Sequence, residues 1–291
     1  MSQRYAVIIP VGPDPRELDR LGALVAELAR HADPYQVRLI VIDDAPPGRT
    51  LAPAWPEPVL LRTALWEHRT APDTLSAHVA GTLEGLTRAR GLEFAVKLDA
   101  DAAVIAPFAD ALADAFADPQ LGVIGSYDRM SSGAARDWSV WERPLARATH
   151  RLAVNRSGTR LAIHYRPAAQ RRVIRDTLAS AESVAPRGAH CLGGAYAVSA
   201  TFLQRAALDW RPWVRTQLGE DIVVGLLCSQ ARLTMRSLTA GGEPFAVAWR
   251  GLPAPPAQLR AAGHGIVHSV RDEDPAQETL RRRALQGEDG A

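Results

Sequence analysis

The sequence predicts an α/β protein built on a doubly wound, mostly parallel sheet. Short apolar runs of strand length alternate with helix-period segments through residues 1–125. The runs are continuous rather than every-other-residue, as in strands buried on both faces. Acidic residues close two of them, at the strand ends where such sheets bind ligands.

Each element has its own signature. "YAVIIPV" (5–11) is the first strand. Asp14, Pro15 and Glu17 then mark a helix start as cap, first-turn proline and capping-box acid. Leu18, Leu21, Leu24, Val25 and Leu28 follow as one apolar stripe. "QVRLIVIDD" (36–44) is the second strand and ends in Asp43 and Asp44. A proline-rich loop and the short strand "VLLRTA" lead to a helix over 73–90, with Leu75, Val79, Leu83 and Leu86 on one side and Gly91 as its stop. "LEFAVKLDAD" is the next strand, followed by a helix over 107–118 and the strand "LGVIGS". Residues 126–190 are rich in Arg, Ser and Trp and lack strand rhythm, so an irregular inserted lobe is expected. "HCLGGAYAVSATFLQRA" resumes ordered structure, "GEDIVVGLLCSQARL" opens a helix, and a capped helix from Asp274 precedes a polar tail. The chain therefore divides into a ligand-binding half (1–125), a second half (126–271, including the lobe) and a C-terminal helix with its tail (272–291).

Composition narrows the function classes. With 291 residues, 47% of them hydrophobic, the chain can bury a sizeable core, which excludes wholesale disorder. A formal charge of +2 gives no global attraction to nucleic acid, and none is expected as a partner. No apolar run reaches the ~18–20 residues that span a bilayer. The opening "MSQRYAVIIPVG" is broken by Pro10 and lacks a cleavage site, so a soluble cytoplasmic protein is expected. Cys191 and Cys228 lack metal-ligand spacing and read as reduced buried thiols.

"LEFAVKLDADAAVIAP" (92–107) poses an electrostatic problem. If the strand persists, Lys97, Asp99 and Asp101 share a face. Two carboxylates ~5 Å apart at an effective dielectric of ~20 repel by roughly 3 kcal/mol. Lys97, the sole lysine, could neutralise them as a structural ion pair. A hard divalent cation, Mg²⁺ or Mn²⁺, could do the same. A phosphatase of the haloacid dehalogenase type also opens on Asp-x-Asp, but Ala103 stands where that family has Thr or Val, and no lysine follows Lys97.

In this order, "YAVIIPV", "LIVIDD" and "AGTLEGLTRARGLEFAVKLDAD" resemble the nucleotide-sugar-binding half of a GT-A glycosyltransferase, in particular glycosyltransferase family 2 and its relatives. The resemblance covers roughly residues 4–125 and 190–270. It implies a nucleoside-diphosphate sugar, a UDP-sugar ahead of a GDP-sugar, lying near Pro10, Asp43, Asp44 and Lys97. It implies a metal on Asp101, helped by Asp99 and by His268 in "GHGIVHSVRD"; His264, between two glycines, fits a turn better. "CLGGAYAVSATFL" looks like the segment beneath the donor sugar, where Gly193 and Gly194 allow close approach; an ordinary turn is the alternative. "WRPWVRTQLGEDIVVG" looks like the Glu-Asp signature, which makes Asp221, with Glu220 beside it, the general base of an inverting transfer to a hydroxyl acceptor. A helix cap is the rival role for Asp221. Trp210 and Trp213 could stack on a sugar or simply fill core.

Arg166, Arg171, Arg172 and Arg175 could meet an anionic acceptor or a membrane surface, though a solvated helix face also explains them. "RRR" (281–283) reads as the exposed side of the last helix. Two other functions remain open: a nucleotidyltransferase, for which "VGPDPRELDR" is a poor glycine-rich loop, and a catalytically silent nucleotide-sugar-binding protein. The acceptor and the oligomeric state are not legible.

Overall fold

The computed structural model describes residues 3–45, 47–67, 74–129, 133–157, 160–238 and 244–288. The expected first residue of the second helix, at 73, and the end of the tail at 289–291 lie outside them. The chain runs through β1 (Tyr5–Val11), α1 (Arg16–His31), β2 (Val37–Asp43), β3 (Val59–Arg62), a single turn α2 (Ala64–Glu67), α3 (Thr74–Arg88), β4 (Phe94–Leu98), β5 (Ala103–Val104), α4 (Ala109–Ala115) and β6 (Leu121–Gly125). It continues through α5 (Glu142–Ala148), β7 (Leu152–Ser157), β8 (Arg160–Tyr165), α6 (Ala168–Glu182), β9 (Ala195–Ser199), α7 (Ala200–Arg205), α8 (Glu220–Gln230), β10 (Thr234–Arg236), β11 (Phe245–Val247), α9 (Pro256–Ala261), β12 (Ile266–His268) and α10 (Pro275–Leu285).

Seven strands form the central sheet, in the order β10–β6–β9–β4–β1–β2–β3. All neighbours are parallel except β9, which runs antiparallel to both β4 and β6. Continuous apolar runs suit this sheet because both faces are covered. Tyr5, Val7, Ile9 and Val11 pack on one face with Leu21, Leu24, Val25 and Leu28 of α1. Ala6 and Ile8 point the other way, into a core that includes Val79, Leu83 and Leu86 of α3. Leu18 and Leu75, expected in the apolar stripes, are instead exposed near the starts of their helices. Asp14 accepts the Arg16 N–H at 3.0 Å, while Glu17 turns to Arg20 instead of closing a capping box. Gly91 ends the α3 segment at φ +89°, a conformation that favours glycine.

The 126–190 segment holds α5, the β7–β8 hairpin and α6, none of which its sequence rhythm announces. A second, three-stranded sheet, β11–β12–β5, seats the C-terminal part of the chain beside the end of β4. Helix α10 locks onto α1. Arg20 donates to both oxygens of Glu278 at 2.8 and 2.9 Å, and Arg282 donates to both oxygens of Glu27 at 2.9 Å. The arginine run is therefore not a solvated face: Arg282 is buried, and Arg281 pairs with Asp272.

Arg282→Ala should leave the Glu27 carboxylate buried without a cation and cost about 3–5 kcal/mol in urea unfolding. Replacing both residues with Leu or Met should recover most of that loss, whereas an equal loss in the double variant would contradict the pairing.

Candidate functional site

β4 ends at Leu98, so the alternation of its side chains stops before the two aspartates. Lys97 points to the α3–α8 side and is fully buried. Its ammonium donates to Asp99 Oδ1 and to the Gly193 carbonyl, and it lies 3.0 Å from Glu220 Oε1. His78, on α3, sits among Asp44 (3.6 Å), Asp99 (3.6 Å) and Glu220 (3.4 Å). Burial opposes charge on this imidazole, but Glu220 and Asp99 outweigh it and push His78 up to about 9. Two cations thus face three carboxylates beneath the strand ends. Asp44, almost wholly removed from water, is pushed up to about 7 by that burial.

On the other side of Asp99 a cation-ready cluster forms. Asp99, Asp101 and His268 each offer a ligand atom within 4.8 Å of the others. His268 Nε2 lies 3.1 Å from Asp101 Oδ1 and 3.5 Å from Asp99 Oδ2. Its Nδ1 is 3.0 Å from the Ala248 carbonyl, a partner that only a protonated Nδ1 can serve. That leaves Nε2 free to coordinate in the neutral ring, the usual outer-shell arrangement of a ligating histidine. Ser269 donates to Asp101 Oδ2 at 2.6 Å, and burial notwithstanding, His268 and Ser269 hold Asp101 well below the usual carboxylate range. Two carboxylates and one imidazole make a donor set fit for a divalent cation.

The Gly193–Gly194 segment separates this cluster from the start of α8. A Cβ on Gly194 would fall 2.1 Å from His268 Nδ1, and one on Gly193 would fall 2.7 Å from Glu220 Oε1. The glycines are required by the closeness of these side chains, whatever ligand also approaches there. Glu220 and Asp221 share the first turn of α8, yet their environments differ. Lys97 and His78 overcome the burial of Glu220 and keep it ionised. Asp221 keeps 19% of its side chain exposed at the cavity wall. Burial and the neighbouring Glu220 raise it to about 7. It accepts the Ile222 N–H at 2.8 Å, so it caps its helix with one oxygen while the other lies 3.6 Å from His190 Nε2.

His190 is the reverse of His78. Burial and then Arg136 press it down to about 4, with Nδ1 2.7 Å from the Gly188 carbonyl and Nε2 2.9 Å from Arg136. Trp138 and Trp141 pack edge-on against its ring. A cavity of about 750 Å³ joins these groups: Asp99, His190, Gly193, Gly194, Asp221 and His268 line its floor, and Leu75, Val140 and Trp249 stand exposed around it. A second, more polar cavity of about 500 Å³ adjoins it across Asp99 and His268, lined also by Asp101, Arg16, Arg250 and Arg271.

Asp99, Asp101, Gly193, Gly194, Glu220, Asp221 and His268 are thus brought together. Lys97 joins them but is enclosed. Pro10 is buried inside β1, paired with Ile42. Asp43 lies at the end of β2, bonded to Arg49 at 2.9 Å and 3.3 Å from Arg62. Trp213 is core, and Trp210 faces a separate cleft with Arg62 and Arg211, so neither tryptophan lines the 750 Å³ cavity. Trp141 and Trp249 do. The sequence reading missed His78, Arg136 and His190. Two signals were there: a histidine beside the apolar stripe of α3, and another two residues before "LGG".

No protein-family model and no curated protein matches the sequence. Solved structures do: 343 chains match. WbbM, a bifunctional glycosyltransferase in its apo form, is similar at a TM-score of 0.51 and 12% identity, over 97% of this chain and 50% of that one. TarS of S. aureus aligns at a TM-score of 0.44 and 12% identity, over 82% of this chain and 36% of that one. The chain spans about half the length of WbbM. The mostly parallel seven-stranded sheet and its match to WbbM across nearly the whole chain show that this protein has a GT-A-like glycosyltransferase fold.

Proposed function

We propose that this chain moves a glycosyl group from a nucleoside-diphosphate sugar to an acceptor hydroxyl, with inversion, using a divalent cation at Asp99, Asp101 and His268 and Asp221 as general base. One observation carries the reading: the three-ligand cluster lies at the C-terminal end of β4, and two of its members, Asp99 and His268, line the same cavity as Asp221. Mn²⁺ or Mg²⁺ held there would supply Lewis-acid neutralisation of the diphosphate.

The chain's own residues do the rest. Arg16 and Arg271, in the polar cavity beside Asp101, offer positive charge to phosphate oxygens. Asp43 and Asp44 close β2, two strands from β4, and are the proposed nucleotide contacts. Gly193 and Gly194 keep the floor low enough for a sugar ring above the acids. Asp221 takes the proton from the attacking hydroxyl. Its raised affinity for protons suits that task, because a base works best with a pKa near the working pH. Glu220 is a poor candidate for the role, because Lys97 and His78 enclose it and depress its affinity for a proton. Arg136, which donates to Nε2 of the neutral His190, places its positive charge on the Asp221 side of the cavity.

Three outcomes are expected. Asp101→Asn should abolish the Mn²⁺-dependent rise in melting temperature that a nucleotide sugar produces; an unchanged shift would sink the cation site. Asp221→Asn should keep that shift but slow transfer by about 10²–10⁴-fold, the range for losing a general base. Full transfer by this variant would reduce Asp221 to a helix cap. Because Asp221 must be ionised to act and burial with Glu220 raises it to about 7, kcat/KM should climb as pH rises from 5, pass half its maximum near 7 and level off about one unit above. A profile already flat at pH 5 would mean that an ordinary carboxylate is the base.

A further inference from the structure

Residues 143–175, the middle of the inserted lobe, line neither cavity of the site just described. Residues 143–175 contain nine arginines and not one Asp or Glu, +9 within a chain that totals +2, so the other 258 residues sum to −7. A charge imbalance this local sets up a field over one surface, not over the molecule.

The structure alters which of these arginines face water. Arg166 is buried and clamps the base of the β7–β8 hairpin: it donates to the carbonyls of Arg147 (2.8 Å), His150 (3.2 Å) and Arg215 (2.7 Å). It cannot meet a partner. Arg143, Arg147, Arg151, Arg172 and Arg175 are exposed.

The hairpin is also inside-out for a water-facing element. Leu152 pairs with Tyr165, and Ile163 lies two residues along the same strand, so all three share one face. They are 55%, 57% and 62% exposed respectively. The opposite face carries Ala153, which is buried, and His164, which is half-buried. The apolar side of the hairpin thus points outward, and its small and polar side points in. The Arg151 guanidinium sits 5.3 Å from the Tyr165 ring centre, so cation and aromatic are presented together.

We infer that this face docks on an anionic lipid bilayer, with Leu152, Ile163 and Tyr165 entering the interface and Arg147, Arg151, Arg172 and Arg175 meeting the headgroups. Charge complementarity selects this occupant. Asp176 lies 3.7 Å from Arg172, but the arginines outnumber it and the net positive field excludes a basic partner. A soluble polyanion would use the arginines but leave the aliphatic side chains exposed, whereas a lipid surface takes both. Tyrosine beside arginine is the pairing that suits an interface with one apolar and one wet side. The surface is rigid at its base because Arg166 ties β8 to three backbone carbonyls. It is joined to the 750 Å³ cavity by α5, which directly follows Trp141 of the cavity wall and whose seven residues span ~10 Å.

Co-sedimentation of the full chain with phosphatidylcholine vesicles, with and without phosphatidylglycerol, tests this directly. Binding is expected only with the anionic lipid and should weaken steeply with added salt. Arg172→Glu combined with Arg175→Glu should reduce partitioning by more than ~25-fold, about fivefold for each lost arginine. Ile163→Ser combined with Tyr165→Ser should reduce it by roughly tenfold or more while leaving the salt dependence intact. Both pairs are exposed, so unchanged melting temperatures will separate lost binding from lost folding. Equal binding to neutral vesicles, or none to anionic ones, overturns the inference. Serine variants that bind like the parent while heparin competes the protein off the vesicles also overturn it, in favour of a purely electrostatic polyanion site.

Discussion

The site depends on one buried ammonium. Lys97 ties together three parts of the chain: Asp99 at the end of β4, the Gly193 carbonyl before β9, and Glu220 at the start of α8. A fully buried cation is tolerated only with partners on every side, and these partners are the acids that frame the floor of the cavity. The same contact turns Asp99 so that one oxygen serves Lys97 while the other faces His268. Neutralising the Asp-x-Asp by lysine and by a divalent cation are therefore not competing solutions. Lys97 takes Oδ1 of Asp99, which leaves Oδ2, beside His268, for the proposed cation.

Around that point, identical residue types take opposite states. Glu220 and Asp221 are neighbours in sequence, but one lies between two cations and the other at the edge of a cavity beside a like charge. One is held ionised, and the other holds its proton more tightly. His78 and His190 divide the same way, the first among carboxylates and the second beside a guanidinium. Pushing the proton affinities of paired groups apart is how one site obtains both a fixed charge and a usable base. The C-terminal strand β12 completes the arrangement by carrying His268 to the end of β4, and the Arg282–Glu27 and Arg20–Glu278 pairs keep that part of the chain in place.

Much of the fold was legible because burial on both faces leaves a plain mark: β1, β2 and β4 are unbroken apolar runs, and α1 and α3 show single stripes. Errors fell where local pattern and tertiary setting part. Leu75 fits the stripe of α3 but lies in its first turn, beyond the sheet, and ends at the cavity mouth. Arg282 reads as surface until Glu27 of α1 is placed opposite it. The β7–β8 strands were hidden because Leu152, Ile163 and Tyr165 face outward and arginines interrupt the run. Trp210 and Trp213 stand next to the Glu-Asp pair in sequence, yet the turn that holds them leads the chain away from the cavity.

The sequence by itself determined the alternation of strands and helices, the acid-closed strand ends and the close approach at Gly193–Gly194, because these depend on periodicity, termination and side-chain volume within short segments. It also held the +9 charge of residues 143–175. Only the tertiary structure decided that His268 joins Asp99 and Asp101, that His78 and Lys97 restrain Glu220, and that Arg166 is spent inside while Leu152, Ile163 and Tyr165 face out. Those outcomes depend on distances between residues up to 170 or so positions apart, which packing sets and no local pattern encodes.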